Sequence, residues 1–199
     1  MVTVPLDDAR AAALLGRLAR ELRRFPGELA KIHVNALNSV GRKVRNKAIS
    51  ELTKRYAAKP DDIKSKVALF RASPGKPLFM VRGVGRPIHL YKWPKQMLML
   101  DGQDGRMHRG VNTQILKGGG YKVVKGGFVA RSSRNKERMI FSRKGGKRYP
   151  IKGLYGPSMI GYFTNDENLE MLTALARNSL EPALQRTAIR RLNKLAGAI

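Results

Sequence analysis

From Leu29 to Leu52, apolar residues recur at three- and four-residue steps: Leu29, Ile32, Ala36, Leu37, Val40, Val44, Ala48 and Leu52. That period belongs to an α-helix with one buried stripe. The spacing predicts a helix over 28–56, about 40 Å long at 1.5 Å per residue. Pro26-Gly27 separates it from what comes before. The other side carries Lys31, Arg42, Lys43, Arg45, Lys47 and Lys54. A helix this long, apolar on one side and cationic on the other, needs a partner layer along its length.

The flanking sequence supplies candidates for that layer. Residues 7–24 read as a first helix, with Asp7 and Asp8 at its N-terminus and Leu14, Leu15, Leu18 and Leu22 on one face. Pro60-Asp61-Asp62 reads as the start of a short helix. The middle of the chain then changes character. Short strand candidates lie at 67–71, 78–82, 88–93, 113–116, 121–125, 128–131 and 139–143, punctuated by Gly and Pro. Residues 95–110 read as a loop or hairpin excursion with a polar, Gly-rich tip. Residues 165–195 return to helical spacing, with Pro182 expected to kink or restart the helix.

The expected class is α+β: long N-terminal helices, a central antiparallel β-sheet, and a C-terminal helix packed on one face. The expected division is an N-terminal helical arm, 1–26, and a core domain, 27–165, holding the long helix, the sheet and a basic loop at 131–148. A C-terminal helix, 166–199, would pack on the core or on a neighbouring subunit.

Charge narrows the function. Forty Lys and Arg face 14 Asp and Glu, a formal net charge of +26. Such a chain repels itself unless nucleic acid, a membrane surface or an acidic protein lies nearby. The excess is concentrated. Residues 106–152 hold 14 Lys or Arg and one acid, Glu137, whereas 153–193 hold four of each sign. No stretch approaches the roughly 18 apolar residues of a membrane span. With no basic-then-apolar leader either, the chain reads as soluble and intracellular when made, with no membrane partner.

Catalysis finds few reagents. There is no cysteine, and His33, His89 and His108 have no carboxylate or second histidine at ligand spacing. Gly83-Val84-Gly85 lacks a third glycine and a following helix, and Gly118–Gly120 lacks the Lys-Ser or Lys-Thr of a phosphate loop. The expectation is no enzyme, no catalytic residue, no metal and no cofactor.

The densest cationic run is ARSSRNKERMIFSRKGGKRYPIK. It places Arg131, Arg134, Lys136, Arg138, Arg143, Lys144, Lys147 and Arg148, with Lys152 beyond, in a strand, a loop, a strand and a turn. In a hairpin these are expected to crowd at one end and to bind phosphates or an acidic partner. The nearby aromatics Tyr121, Phe128, Phe141, Tyr149 and Tyr155 alternate with polar residues and read as core rather than as stacking platforms.

GGFVARSSRNKERMIFSRKGGKRYPIKGLYGPSM, 126–159, resembles the minor tail protein Z family of tailed bacteriophages, also called tail completion proteins. An Ala-Arg strand leads through a variable loop to an apolar-Phe-x-Arg strand at Ile140–Arg143. A basic-aromatic-Pro-Ile element, Arg148–Ile151, then precedes Leu154-Tyr155-Gly156-Pro157-Ser158. The helix LAKIHVNALNSVGRKVRNKAISELTKRY and the segment GRPIHLYKW are similar to that family's opening and next strand. The resemblance spans about 28–165.

It implies a structural virion protein in the neck of the particle, assembled first in the host cytoplasm. Such a protein finishes the tail, helps join tail to head and helps position the end of the genomic double-stranded DNA. It implies a homo-oligomeric ring, a hexamer matching the tail tube, beside other neck and tail proteins such as a tail terminator, tube and head-tail connector. Ring closure needs two different faces per copy, and the stripes of the helices at 28–56 and 165–195 are candidates. Ile151, Leu154, Tyr155, Pro157 and Met159 are candidate subunit or partner contacts. An alternative is a nucleic-acid-binding protein outside any virion, making sequence-independent phosphate contacts.

Overall fold

The computed structural model describes residues 2–3, 9–21, 26–101, 107–133, 136–143, 145 and 148–196. The chain divides into two compact units: the described residues of 1–48, 67–84 and 160–199, and those of 49–66 and 85–159.

The first unit contains α1 (Ala9–Glu21), most of α2 (Pro26–Arg55), and strands β1 (Val2–Thr3), β2 (Val67–Phe70) and β3 (Met80–Gly83). The strands pair antiparallel in the order β1-β3-β2. The stripe read from the sequence becomes the core: Ile32, Ala36, Leu37, Val40 and Val44 are buried with Val67, Phe79 and Val81. Gly41 permits the close approach of α2. A Cβ there would lie 2.9 Å from Leu69 Cδ1 and 3.1 Å from the Phe79 ring. Two polar ties fix the chain around β2. The Asn38 amide donates to Ala72 O (3.0 Å) and accepts from Ala72 N (2.8 Å), and Arg45 Nε donates to Val67 O at 2.9 Å.

The last helix (Asp166–Ala196) completes this unit. Asn165 caps it, its Oδ1 accepting from the Asn168 amide at 3.1 Å, and Asp166 and Glu167 stand at the positive end of its dipole. Leu172, Ala176, Leu180, Ala183, Leu184 and Ala188 are buried. The helix continues through Pro182 rather than restarting there. Pro182 and Asn178 lie on the exposed side, where solvent can reach the carbonyl that loses its N–H partner, while Leu180, Ala183 and Leu184 hold the inner side. The apolar stripes of both long helices are buried inside their own chain. They are not the free ring-forming faces anticipated from the sequence.

The second unit begins with the end of α2 and α3 (Pro60–Lys64), where Pro60 opens the helix. Numbering the Asp166–Ala196 helix α4, the remaining elements are β4 (Lys95–Asp101), β5 (Met107–Thr113), β6 (Lys122–Val123), β7 (Gly127–Arg131), β8 (Arg138–Arg143) and β9 (Ile151–Gly153). They form two antiparallel sheets, β4-β5-β6 and β7-β8-β9. The α+β class therefore holds, with the antiparallel strands among the described residues shared between three three-stranded sheets.

In the 95–110 excursion β4 and β5 pair antiparallel, in register from Lys95↔Thr113 to Asp101↔Met107, and the expected polar tip, 102–106, lies outside the described residues. Strand β5 ends at Thr113, where the sequence suggested a strand would begin, and Leu116 makes only an isolated bridge to Tyr56. Residues 88–93 are not the expected strand. His89 bridges Tyr155, and Leu90–Lys92 form a 3₁₀ turn in which His89 Nδ1 accepts from the Tyr91 amide. The reason lies in the spacing of the two buried anchors, Leu90 and Trp93. Three residues apart, they share one side of a 3₁₀ turn and would fall on opposite faces of a strand.

Candidate nucleic-acid interface

β7 and β8 pair from Gly127↔Ser142 to Arg131↔Arg138. Partners across an antiparallel ladder project to the same face. Val129 and Ile140 are one such pair, with Ile140 fully buried. Two steps further, at the rim, the same register sets Arg131 directly opposite Arg138. Both are exposed, and neither pairs with an acid among the described residues. Like charges directly opposite are unfavourable by themselves. The turn that joins them is fixed by Ser132 N donating to Glu137 O (2.8 Å) and Lys136 N donating to Ser132 O (3.0 Å). Lys136 takes a left-handed backbone there, with φ of 57°, and its side chain is exposed.

The other described cations of the run lie at the opposite end of the sheet. β8 pairs with β9 as Phe141↔Gly153, Ser142↔Lys152 and Arg143↔Ile151. Arg143 is thus five residues, about 17 Å, from Arg138 along the strand. The Arg143 guanidinium lies 4.9 Å from the centre of the Phe128 ring, and that of Arg148 lies 5.8 Å from the Tyr149 ring. The expected crowding at one end is therefore incorrect. Successive turns of a three-stranded meander fall at opposite ends, so the basic run becomes two rims, Arg131/Lys136/Arg138 and Arg143/Arg148. Arg134, Lys144 and Lys147 lie outside the described residues.

The Gly-Pro-Ser element packs against its own unit. Leu90 N donates to Leu154 O (3.0 Å), Leu154 N to Ile140 O (2.9 Å) and Gly156 N to Ile88 O (2.9 Å). The indole Nε1 of Trp93 reaches the same Ile88 carbonyl at 3.4 Å. A Cβ on Gly156 would stand 2.6 Å from the Trp93 ring. Of the candidate contact residues, Met159 is buried at 3% exposure, Leu154 and Pro157 are half-buried, and Ile151 (38%) and Tyr155 (46%) remain open. His89 lies 4.7 Å from the Tyr155 ring, centre to centre. Burial pushes its imidazole below the ordinary range, Glu137 pulls it up and Lys92 pushes it down.

A family model described as prophage minor tail protein Z (GPZ) matches residues 18–196. The chain belongs to that family. It is a structural protein of a phage tail, a component of the virion among other tail proteins. No curated protein and no solved structure matches it.

Seen as a tail protein, its surface corrects one further expectation. Of the five aromatics around the basic run, Phe141 is buried and Phe128 half-buried, their rings 6.2 Å apart. Tyr121, Tyr149 and Tyr155 are exposed and are not core. Each flanks a turn or the end of a short strand. Sequence reasoning also missed the stacking of Lys95 Nζ 3.8 Å from the Tyr91 ring centre. The four-residue separation was its only signal. Among the described residues, no three of His, Cys, Asp and Glu gather closely enough to hold a metal ion, and no helix is long and apolar enough to cross a membrane.

Proposed function

We propose that the chain is a tail completion, or neck, subunit. It forms a six-fold homo-oligomeric ring at the head-proximal end of the tail and presents the β7–β9 sheet to the DNA. The observation that carries this is the Arg131–Arg138 pair on a member of a phage tail family. Two unneutralised guanidiniums held in register are unfavourable in isolation and favourable against a polyanion, whose bound counterions they release. Such a ring joins tail to head by contacts with the tail terminator, tube and head-tail connector, and its role there is structural, not enzymatic.

Tyr155 and Ile151 supply exposed apolar area on the unit that carries this sheet. They serve as the subunit contact. Met159, buried below, and the half-buried Leu154 and Pro157 anchor the element that carries them. The chain collects in the host cytoplasm before joining the particle.

Electron microscopy of assembled particles carrying a tagged copy tests the proposal. The expected result is six-fold density at the head-proximal end of the tail, with β7–β9 toward the channel. Density confined to the distal tip, or a chain that stays monomeric in the presence of tail and connector proteins, overturns it.

A further inference from the structure

A second cationic feature lies in the first unit, apart from the basic sheet. α2 presents Asn35, Asn38, Ser39 and Arg42 to a cleft of about 470 Å³. α4 presents Thr187, Arg190, Arg191 and Lys194 to the same cleft. Both sets follow the spacing i, i+3, i+4, i+7, so each helix turns one whole polar face inward. Arg71 completes the lining from the segment after β2. Its position is set by its neighbour Ala72, whose backbone N–H and carbonyl are both held by the Asn38 amide.

Five cations therefore converge on one concavity. The acid at its edge is Glu28, which binds Arg191 through both carboxylate oxygens and also Lys31. Arg42, Arg71, Arg190 and Lys194 pair with no acid among the described residues. Among the described residues no apolar side chain lines the cleft, so burial of an apolar ligand offers little there. Four of the five cations are arginines, whose planar forks match oxoanions in bidentate geometry. A single carboxylate would neutralise one of them. A compact group carrying several negative charges within a few ångströms would answer the set.

We propose that this cleft between α2 and α4 is a binding site for a phosphate-bearing ligand. Its volume lies in the range of small-molecule sites. The shared chemistry has two sources, a free polyphosphate such as a nucleoside triphosphate, or a run of backbone phosphates in nucleic acid.

Isothermal titration of the full-length protein with inorganic triphosphate reads the site directly, with a poly-glutamate peptide as the carboxylate comparison. The expected result is saturable triphosphate binding, tighter than that of the peptide. The double substitution Arg42→Ala/Arg190→Ala should weaken it at least about tenfold, as loss of charge-assisted hydrogen bonds does, and Lys122→Ala/Lys125→Ala, at exposed cations outside both basic features, should leave it unchanged. The exposed positions 42 and 190 leave the core intact, and circular dichroism checks the fold. Competition by duplex DNA then assigns the source. Displacement of triphosphate points to backbone phosphates, and independent binding points to a free polyphosphate. No binding, equal loss in both double variants, or tighter binding of the peptide overturns the proposal. None of these results depends on whether the chain forms a ring.

Discussion

Gly156 faces the indole of Trp93 so closely that a Cβ on it would lie 2.6 Å from Cε2, Cζ2 and Nε1. Trp93 is 1% exposed and also stacks edge-on with Tyr56 at 5.9 Å between centres. It has no room to retreat. The Gly-Pro-Ser element is thus a seat for a buried tryptophan, whatever else its exposed side touches. Gly156→Ala should destabilise the second unit by about 1–3 kcal/mol, the usual cost of forcing a methyl into a packed site. Chemical denaturation followed by tryptophan fluorescence measures this, because Trp93 is the only tryptophan. An unchanged midpoint would show that the indole can move aside.

Pro182 allows the opposite experiment. It sits inside α4, where proline removes one backbone hydrogen bond and crowds the preceding turn. Its side chain is exposed, so replacing it leaves the core packing intact. Pro182→Ala should stabilise the protein by about 1–3 kcal/mol, seen as a higher melting temperature. A lower one would mean that α4 needs the bend a proline imposes.

Glu28 contributes a pH-dependent part of the acid stability. Its pairing with Arg191, and then with Lys31, lowers its pKa from 4.5 to about 2. A carboxylate with a depressed folded-state pKa contributes stability that is complete above the unfolded value and is lost as pH falls toward the folded one. The wild type should therefore lose this contribution between about pH 4.5 and 2. Glu28→Gln should lack that part of the profile and be less stable at neutral pH. Parallel melting curves across this range decide it. Identical slopes for both proteins would remove Glu28 from the account.

His33 and His89 act at higher pH. Burial depresses both imidazoles below 6.5. A base with a lowered folded-state pKa is stable while neutral, so its contribution is complete above 6.5 and declines as pH falls below it. His89 Nε2 is buried and has no hydrogen-bond partner among the described residues, so protonation there gains nothing from them to offset desolvation. His89→Gln should flatten the loss of stability just below pH 6.5. Following the Tyr155-side imidazole by NMR titration should give a midpoint below the free value. A midpoint at or above it would contradict the burial.

Much of this architecture is readable from local pattern. The three- and four-residue spacing of Ile32, Ala36, Val40 and Val44 has one simple solution, a buried helical stripe, and that stripe is the core of the first unit. Phe128–Arg131 and Met139–Arg143 are legible as strands because they are short apolar-containing runs bounded by Gly-rich turns, and their resemblance to the tail family agrees with the family that matches. What fails is whatever depends on a third element. Ile88–Trp93 has the composition of a strand, but Leu90 and Trp93 must both reach one core, and that selects a turn. Arg138 and Arg143 look adjacent in the sequence and stand at opposite rims because they are the two ends of one extended strand. The α2–α4 cleft was invisible, since Arg42 and Arg190 are nearly 150 positions apart and only the fold brings their faces together.

The two rims of the β7–β9 sheet make the last expectation quantitative. Arg131 and Arg138 are held in register by five ladder pairs, so they reach a DNA backbone as a unit if they reach it at all. Removing one cation that neutralises a phosphate should reduce the slope of log K against log salt by about 0.9 on duplex DNA. Arg131→Ala/Arg138→Ala should therefore lower the slope by about 2 and weaken binding at low salt, equally for unrelated sequences. Arg143→Ala should have a smaller effect, because its guanidinium is already laid over Phe128 and must leave that ring to reach a phosphate. Fluorescence anisotropy on two unrelated duplexes over a salt series measures the slope for the wild type and for both variants. A slope unchanged by the double substitution would turn this sheet away from DNA and toward an acidic protein of the tail.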